Sequence, residues 1–106
     1  MFDCRALPNP FWVENLRGFT GRDQPIIDFF AVHADAVAAF LKPVEDLVRN
    51  SIAAYAQDAR ERLSVGFGCT GGKHRSVYCA EALAGALRGD GGVMVELVHT
   101  ALQTVR

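Results

Sequence analysis

Cys69, Lys73, His74 and Arg75 fall in one short stretch, Gly66-Phe67-Gly68-Cys69-Thr70-Gly71-Gly72-Lys73-His74-Arg75-Ser76, whose residue types suit the binding of an anion. Glycines let consecutive backbone N–H groups turn inward as a nest, and three cationic or potentially cationic side chains follow directly. If a helix starts at Ser76, its unpaired N–H groups and the positive end of its dipole add to the same spot. A phosphate group is the natural guest. The candidate contacts are Thr70, Gly71, Gly72, Lys73, His74, Arg75 and Ser76. A second chemistry is written in the same residues, because Cys69 and Arg75 stand as Cys-x5-Arg. In that arrangement a thiolate at a helix start can attack phosphorus while the arginine holds the phosphate oxygens.

The neighbouring elements must position this loop. Leu63-Ser64-Val65-Gly66-Phe67 predicts a strand, and Val77, Ala80, Ala84 and Leu87 recur at helical spacing after it. Phe2 to Leu7 predicts a short strand stopped by Pro8-Asn9-Pro10, and Phe11 to Leu16 fits one or two helical turns. Pro25 to Val32 is read as helix. The longest amphipathic stretch runs from about Ala34 to Arg62, with Pro43 expected to kink it or to open a new helix. Arg88 to Gly92 marks a turn, Val93 to Val98 a further strand, and His99 its end. This order predicts an α/β fold with a small, largely parallel sheet flanked by helices and a strand-loop-helix anion site. Ligands in such sheets bind beyond the carboxyl ends of the strands, so Asp3, Arg5, the 69–75 loop and His99 are expected to converge on one cleft.

Composition bounds the rest. The chain has 106 residues, half of them hydrophobic, which is enough for one domain over residues 1–106. A formal net charge of −1 excludes a globally basic nucleic-acid binder and leaves only a local patch, Arg5, Arg17, Lys73 and Arg75, for RNA. Three cysteines without regular spacing make no disulfide framework, and no signal-peptide pattern or long apolar span is present. The expected setting is the cytoplasm with reduced thiols and no membrane. Cys4 and Cys79 read as core fillers, and His33 as a surface or capping residue. No two histidines stand at metal-ligand spacing and there is no Cys-x2-Cys pair, so neither a metal nor a cofactor is expected. Phe11 and Trp12 read as core or as an anchor for a second subunit, and a homo-oligomer is expected.

Several blocks together resemble a known family: Phe2-Asp3-x-Arg5-x-Leu7-Pro8-Asn9-Pro10, Leu16-Arg17, Thr20-Gly21-x-Asp23-x-Pro25, and Gly68 to Val77 with Glu81. They are similar, in order and over nearly the whole chain, to the C-terminal domain of the RNase adapter RapZ and its YvcJ-like relatives. The resemblance implies a phosphofructokinase-like α/β domain that binds an amino-sugar phosphate, glucosamine-6-phosphate. In enterobacterial relatives it also implies contact with structured small RNAs in the control of amino-sugar synthesis. Asp3, Arg5, Asn9, Thr70, Gly71, His74 and Arg75 match the family's cavity motifs. Full-length members carry a P-loop domain, whereas this sequence has no Gly-x4-Gly-Lys-Ser/Thr, so nucleotide hydrolysis is not implied. Two positions depart from the family. Phe11 stands where RNA-binding relatives have a histidine, and His99 lacks the flanking arginines often found there. The combined reading is a binding or sensor domain rather than an enzyme, with a phosphatase using Cys69 and Arg75 as the alternative. Against that alternative, Gly68 takes the place of the histidine that commonly precedes the phosphatase cysteine.

Overall fold

A computed structural model describes residues 1–60, 62–69, 73–89 and 93–99 in full, together with the backbone of 104–105. In chain order the elements are β1 (Phe2–Asp3), α1 (Gln24–Val32), α2 (Ala34–Gln57), β2 (Phe67–Gly68), α3 (Arg75–Gly89), β3 (Val98–His99) and β4 (Thr104–Val105). Two 3-10 turns, Pro10–Trp12 and Glu14–Leu16, fill the Phe11–Leu16 region where helical turns are expected. The class is α/β, with three helices around a small parallel pair.

β1 and β2 run parallel in the register Phe2 with Phe67 and Asp3 with Gly68. Flanking backbone bonds extend the pairing, from Phe2 N–H to the Gly66 carbonyl (2.7 Å) and from Cys4 N–H to the Gly68 carbonyl (2.9 Å). Both strands are shorter than the apolar runs that predict them, because only the overlap of those runs finds a partner. The closing strand does not join this sheet. β3 pairs antiparallel with β4 in a separate ladder, and Val93 to Leu97 stay outside any ladder. Their hydrophobicity serves packing instead: Val93 and Val95 lie against a core cluster and Leu97 is buried.

The core has two neighbouring clusters. One joins Cys4, Leu7, Ile26, Phe30, Val37 and Cys79, so the two cysteines read as fillers are wholly buried in it. The other joins Val44 and Val48 of α2 to Leu83 and Leu87 of α3. Phe40 and Phe67 pack against both and make the core continuous.

α1 opens after Asp23, with Pro25 in its first turn, where a missing N–H costs nothing. His33 links α1 to α2, whose axes differ by 95°. α2 then runs through Pro43 without a break. A proline inside a helix costs about 3 kcal/mol, and the buried stripe Val37, Val44 and Val48 on both sides of it supplies the opposing packing. The helix ends at Gln57, short of the expected Arg62. There Ala59 takes a left-handed φ of 57°, while Ala59 N–H bonds the Ala56 carbonyl and Arg60 N–H the Tyr55 carbonyl. That is a Schellman cap formed without its usual glycine. Among the described residues no single helix is long and apolar enough to cross a membrane.

Candidate functional site

The carboxyl ends of β1 and β2 lie side by side, and α3 starts against them. Cys69, the residue after β2, makes the joint: its Sγ accepts the Ser76 N–H at 3.3 Å, inside the first turn of α3. An open hollow of about 310 Å³ lies at these strand ends, lined by Met1, Phe2, Asp3, Arg5, Gly68 and Cys69.

Arg75 is the first residue of α3 and is only 5% exposed. Its Nη1 donates to the Arg5 carbonyl at 2.6 Å and to the Leu7 carbonyl at 3.3 Å, fastening the turn after β1 to the start of α3. Among the described residues no carboxylate pairs with it. No buried side-chain nitrogen or oxygen lacks a hydrogen-bond partner among those residues. The remaining guanidinium N–H groups, having no protein partner there, therefore open to solvent. A cation held by neutral carbonyls in a mostly buried position has given up hydration without an ion pair among the described residues, and the Asp3 carboxylate acts on it only at longer range.

Asp3 and Arg5 sit at the hollow's edge but engage each other. Arg5 Nε reaches both carboxylate oxygens at 3.0 Å and Nη2 reaches Oδ2 at 2.7 Å, with both side chains exposed. This bidentate contact, with the Arg5 N–H behind it, holds the Asp3 carboxyl down at about 2. Asn9 is engaged elsewhere, since its side-chain oxygen accepts the Phe11 N–H at 3.1 Å and caps the first 3-10 turn. Arg17 donates to the Phe11 carbonyl at 2.7 Å and lies over the Phe11 ring, 4.9 Å from its centroid. Lys73 is exposed. Thr70, Gly71 and Gly72 lie outside the described residues.

His74 is buried beside Arg75, and its Nε2 lies 2.6 Å from the Phe19 carbonyl. A carbonyl can only accept, so Nε2 carries the proton. Phe19 belongs to a segment strapped across the start of α3. Gly21 N–H donates to the Lys73 carbonyl at 2.8 Å, and the Gly21 Cα lies so close to the His74 carbonyl and the Tyr78 N–H that any side chain would collide with backbone. Asp23 closes the turn behind it by accepting the Thr20 N–H at 2.7 Å.

His99 is built into a different place. Its buried Nε2 meets Glu81 Oε2 of α3 at 2.7 Å, and the same oxygen lies 3.6 Å from Arg22 Nε. Charge is balanced there within the protein. The strap, Arg22 and the bridging role of Glu81 went unassigned from sequence, although Thr20-Gly21-x-Asp23 and Glu81 were visible as shared residues.

Cys69 lacks the marks of a nucleophile. Its hydrogen bond with Cys4, aided by burial, pushes the thiol up to about 12 against the opposing pull of the Ser76 N–H. For Cys4 the bond with Cys69 acts downward, but Cys79 and burial hold it at about 12 as well. Neither group is poised to become a thiolate near neutral pH. Among the described residues no group of acidic, histidine or cysteine side chains is arranged to hold a metal.

Comparison with known proteins agrees with the blocks seen in the sequence. The chain is similar to proteins named nucleotide-binding protein from Chromobacterium violaceum (48% identity over 81% of this chain and 30% of that protein) and Thiobacillus denitrificans (46%, over 90% and 34%). It is likewise similar to the one from Alcanivorax borkumensis (43%, over 96% and 36%). It thus spans about a third of the length of these curated relatives. A family profile described as RapZ C-terminal domain matches residues 1–103, and the chain belongs to that family.

Proposed function

We propose that this domain binds a phosphorylated small molecule without transforming it, an amino-sugar phosphate such as glucosamine-6-phosphate being the first candidate, and that it serves regulation. The observation that carries the reading is Arg75: a nearly buried cation at a helix start, held by two carbonyls, with open donors and no carboxylate partner among the described residues. Its Nη1 is occupied by the protein, which leaves the Nε–Nη2 edge, the one suited to bidentate phosphate contact. In this reading Lys73 supplies a screening charge. The hollow at the strand ends would take the rest of the ligand.

Other readings are weaker on physical grounds. A cysteine-dependent phosphatase needs a thiolate at Cys69, whose surroundings hold the proton on. An RNA surface would draw on Arg5, Arg17, Lys73 and Arg75, yet Arg5 is paired with Asp3, Arg17 covers Phe11 and Arg75 is buried. The relatives' name refers to proteins about three times the matched length, so nucleotides enter only as competitors in the test.

Thermal unfolding with glucosamine-6-phosphate, glucose-6-phosphate, inorganic phosphate and a nucleoside monophosphate tests the reading. A ligand at a hundred times its dissociation constant stabilises the fold by about 2.7 kcal/mol. The shift is expected with a sugar phosphate, reduced in Lys73→Ala and lost in Arg75→Lys, which keeps the charge but not the bidentate edge. No shift with any phosphorylated compound would sink the proposal.

A further inference from the structure

Midway along α3, two distant parts of the chain reach for one oxygen of Glu81. Oε2 accepts the His99 Nε2–H from β3 at 2.7 Å, a fully made hydrogen bond, while Arg22 Nε stands 3.6 Å from the same oxygen, an ion pair too long to be one. Among the described residues Oε1 has no partner. His99 is buried, whereas the Arg22 and Glu81 side chains are each about a third exposed, at 31% and 36%. The histidine therefore fixes where the carboxylate sits, and it holds it back from Arg22.

Arg22 belongs to the strap across the start of α3. Two contacts of that strap are fully made, Phe19 carbonyl with His74 Nε2 at 2.6 Å and Gly21 N–H with the Lys73 carbonyl at 2.8 Å, and the third, at Glu81, is left open. β3 is the more loosely attached of the two elements. It pairs with β4 in a ladder of its own, and among the described residues no backbone hydrogen bond joins it to β1 or β2, so the His99 bond to Glu81 is its polar tie to α3.

We infer that Glu81 is a two-position latch that couples β3 to the strap. With His99 in place the carboxylate faces β3 and Arg22 stays beyond hydrogen-bond range; when β3 leaves α3, the carboxylate turns to Arg22 and closes the third contact of the strap. The coupling is antagonistic, because the same acceptor serves one donor well or the other. Through it the seating of β3 is felt at the helix start, seven residues or about 10 Å along α3. The inference concerns how the strap is held and stands apart from what the helix start binds.

Hydrogen exchange at the Gly21 N–H reads how firmly the strap sits on α3. Arg22→Met is compared in two backgrounds, so that any general loss of stability on removing His99 cancels. In the intact protein it is expected to change the Gly21 exchange rate little. In His99→Leu, where the carboxylate has turned to Arg22, it is expected to speed exchange about threefold more, the worth of a partly exposed ion pair. His99→Gln keeps a donor at the place of Nε2 and should behave as the intact background does. In Glu81→Ala the difference between backgrounds should disappear. An equal or smaller effect of Arg22→Met in His99→Leu overturns the latch, and so does a difference that survives in Glu81→Ala.

Discussion

Two places on α3 hold buried polar charge, and they are built in opposite ways. Midway along the helix, Glu81 meets buried His99 on one side and Arg22 on the other, so acid and base answer each other within the protein. At the helix start, Arg75 and His74 are held by neutral backbone carbonyls of Arg5, Leu7 and Phe19, with no carboxylate joining them among the described residues. The first arrangement stitches β3 and the segment before α1 to the helix. The second fixes the direction of two side chains while leaving part of their bonding capacity unused, which is what a ligand site requires. Polar groups that neutralise one another are scaffold; those that are anchored but not neutralised are the candidates for function.

The largest expected effect breaks the helix-start arrangement as a whole. Gly21→Ala places a methyl group against the His74 carbonyl and the Tyr78 N–H, and is expected to cost about 3 kcal/mol in urea unfolding, with loss of ligand response. A cost below about 0.5 kcal/mol, the range of an ordinary surface change, would show that the strap is not seated as described. Next come two variants that set the regions against each other. Arg75→Met leaves two carbonyls without their donor but also removes a costly buried cation, so unliganded stability should fall by only about 1 kcal/mol while the phosphate-dependent shift vanishes. Glu81→Gln should cost a similar amount, about 1 kcal/mol, and leave the phosphate shift intact. If Glu81→Gln abolished the shift and Arg75→Met did not, the roles of the two regions would be reversed. A control lies far from both: Ala59→Gly relieves a left-handed residue and should stabilise the fold by about 1 kcal/mol in the same assay.

The smallest effect concerns Asp3, which lines the hollow at the strand ends but is neutralised by Arg5. Its carboxyl is held at about 2, below the ordinary 3.8, so its contribution is present at neutral pH and is lost as pH falls through about 2. The pair is exposed and screened, so Asp3→Asn should lower the melting temperature only slightly at neutral pH. The difference from the intact protein should close between about pH 4 and pH 2, and a difference that persisted below that window would exclude the carboxylate as its cause.

Much of this was legible from residue order. The periodicity of Val37, Val44 and Val48 marks α2, and that of Val77, Ala84 and Leu87 marks α3, because burial of one helical face needs only local spacing. The strands were legible in kind but not in extent, since a strand exists only where another strand meets it, and β1 and β2 overlap for two residues each. At Pro43 residue order left two outcomes open, a kink or a new helix, and packing on both sides keeps α2 a single helix. In the site, residue types pointed to Arg75 and His74 directly. The engagement of Asn9 with a turn, of Arg17 with Phe11 and of Asp3 with Arg5 is a matter of which partner lies within reach, and residue identity does not contain it.

Residue identity and spacing alone determined that this protein has an α/β class, a glycine-bearing loop before a helix, clustered cations at that helix start and membership in one family. Each of these depends on local conformational preference, on local charge or on a contiguous match. Tertiary structure decided which of the cations is buried with no ion-pair partner among the described residues. The carbonyls that hold Arg75 come from positions 70 and 68 residues away, and the one that orients His74 from 55 away. Bonds of that kind exist only once the core has closed, and they turn a run of polar residues into one oriented guanidinium and one oriented imidazole.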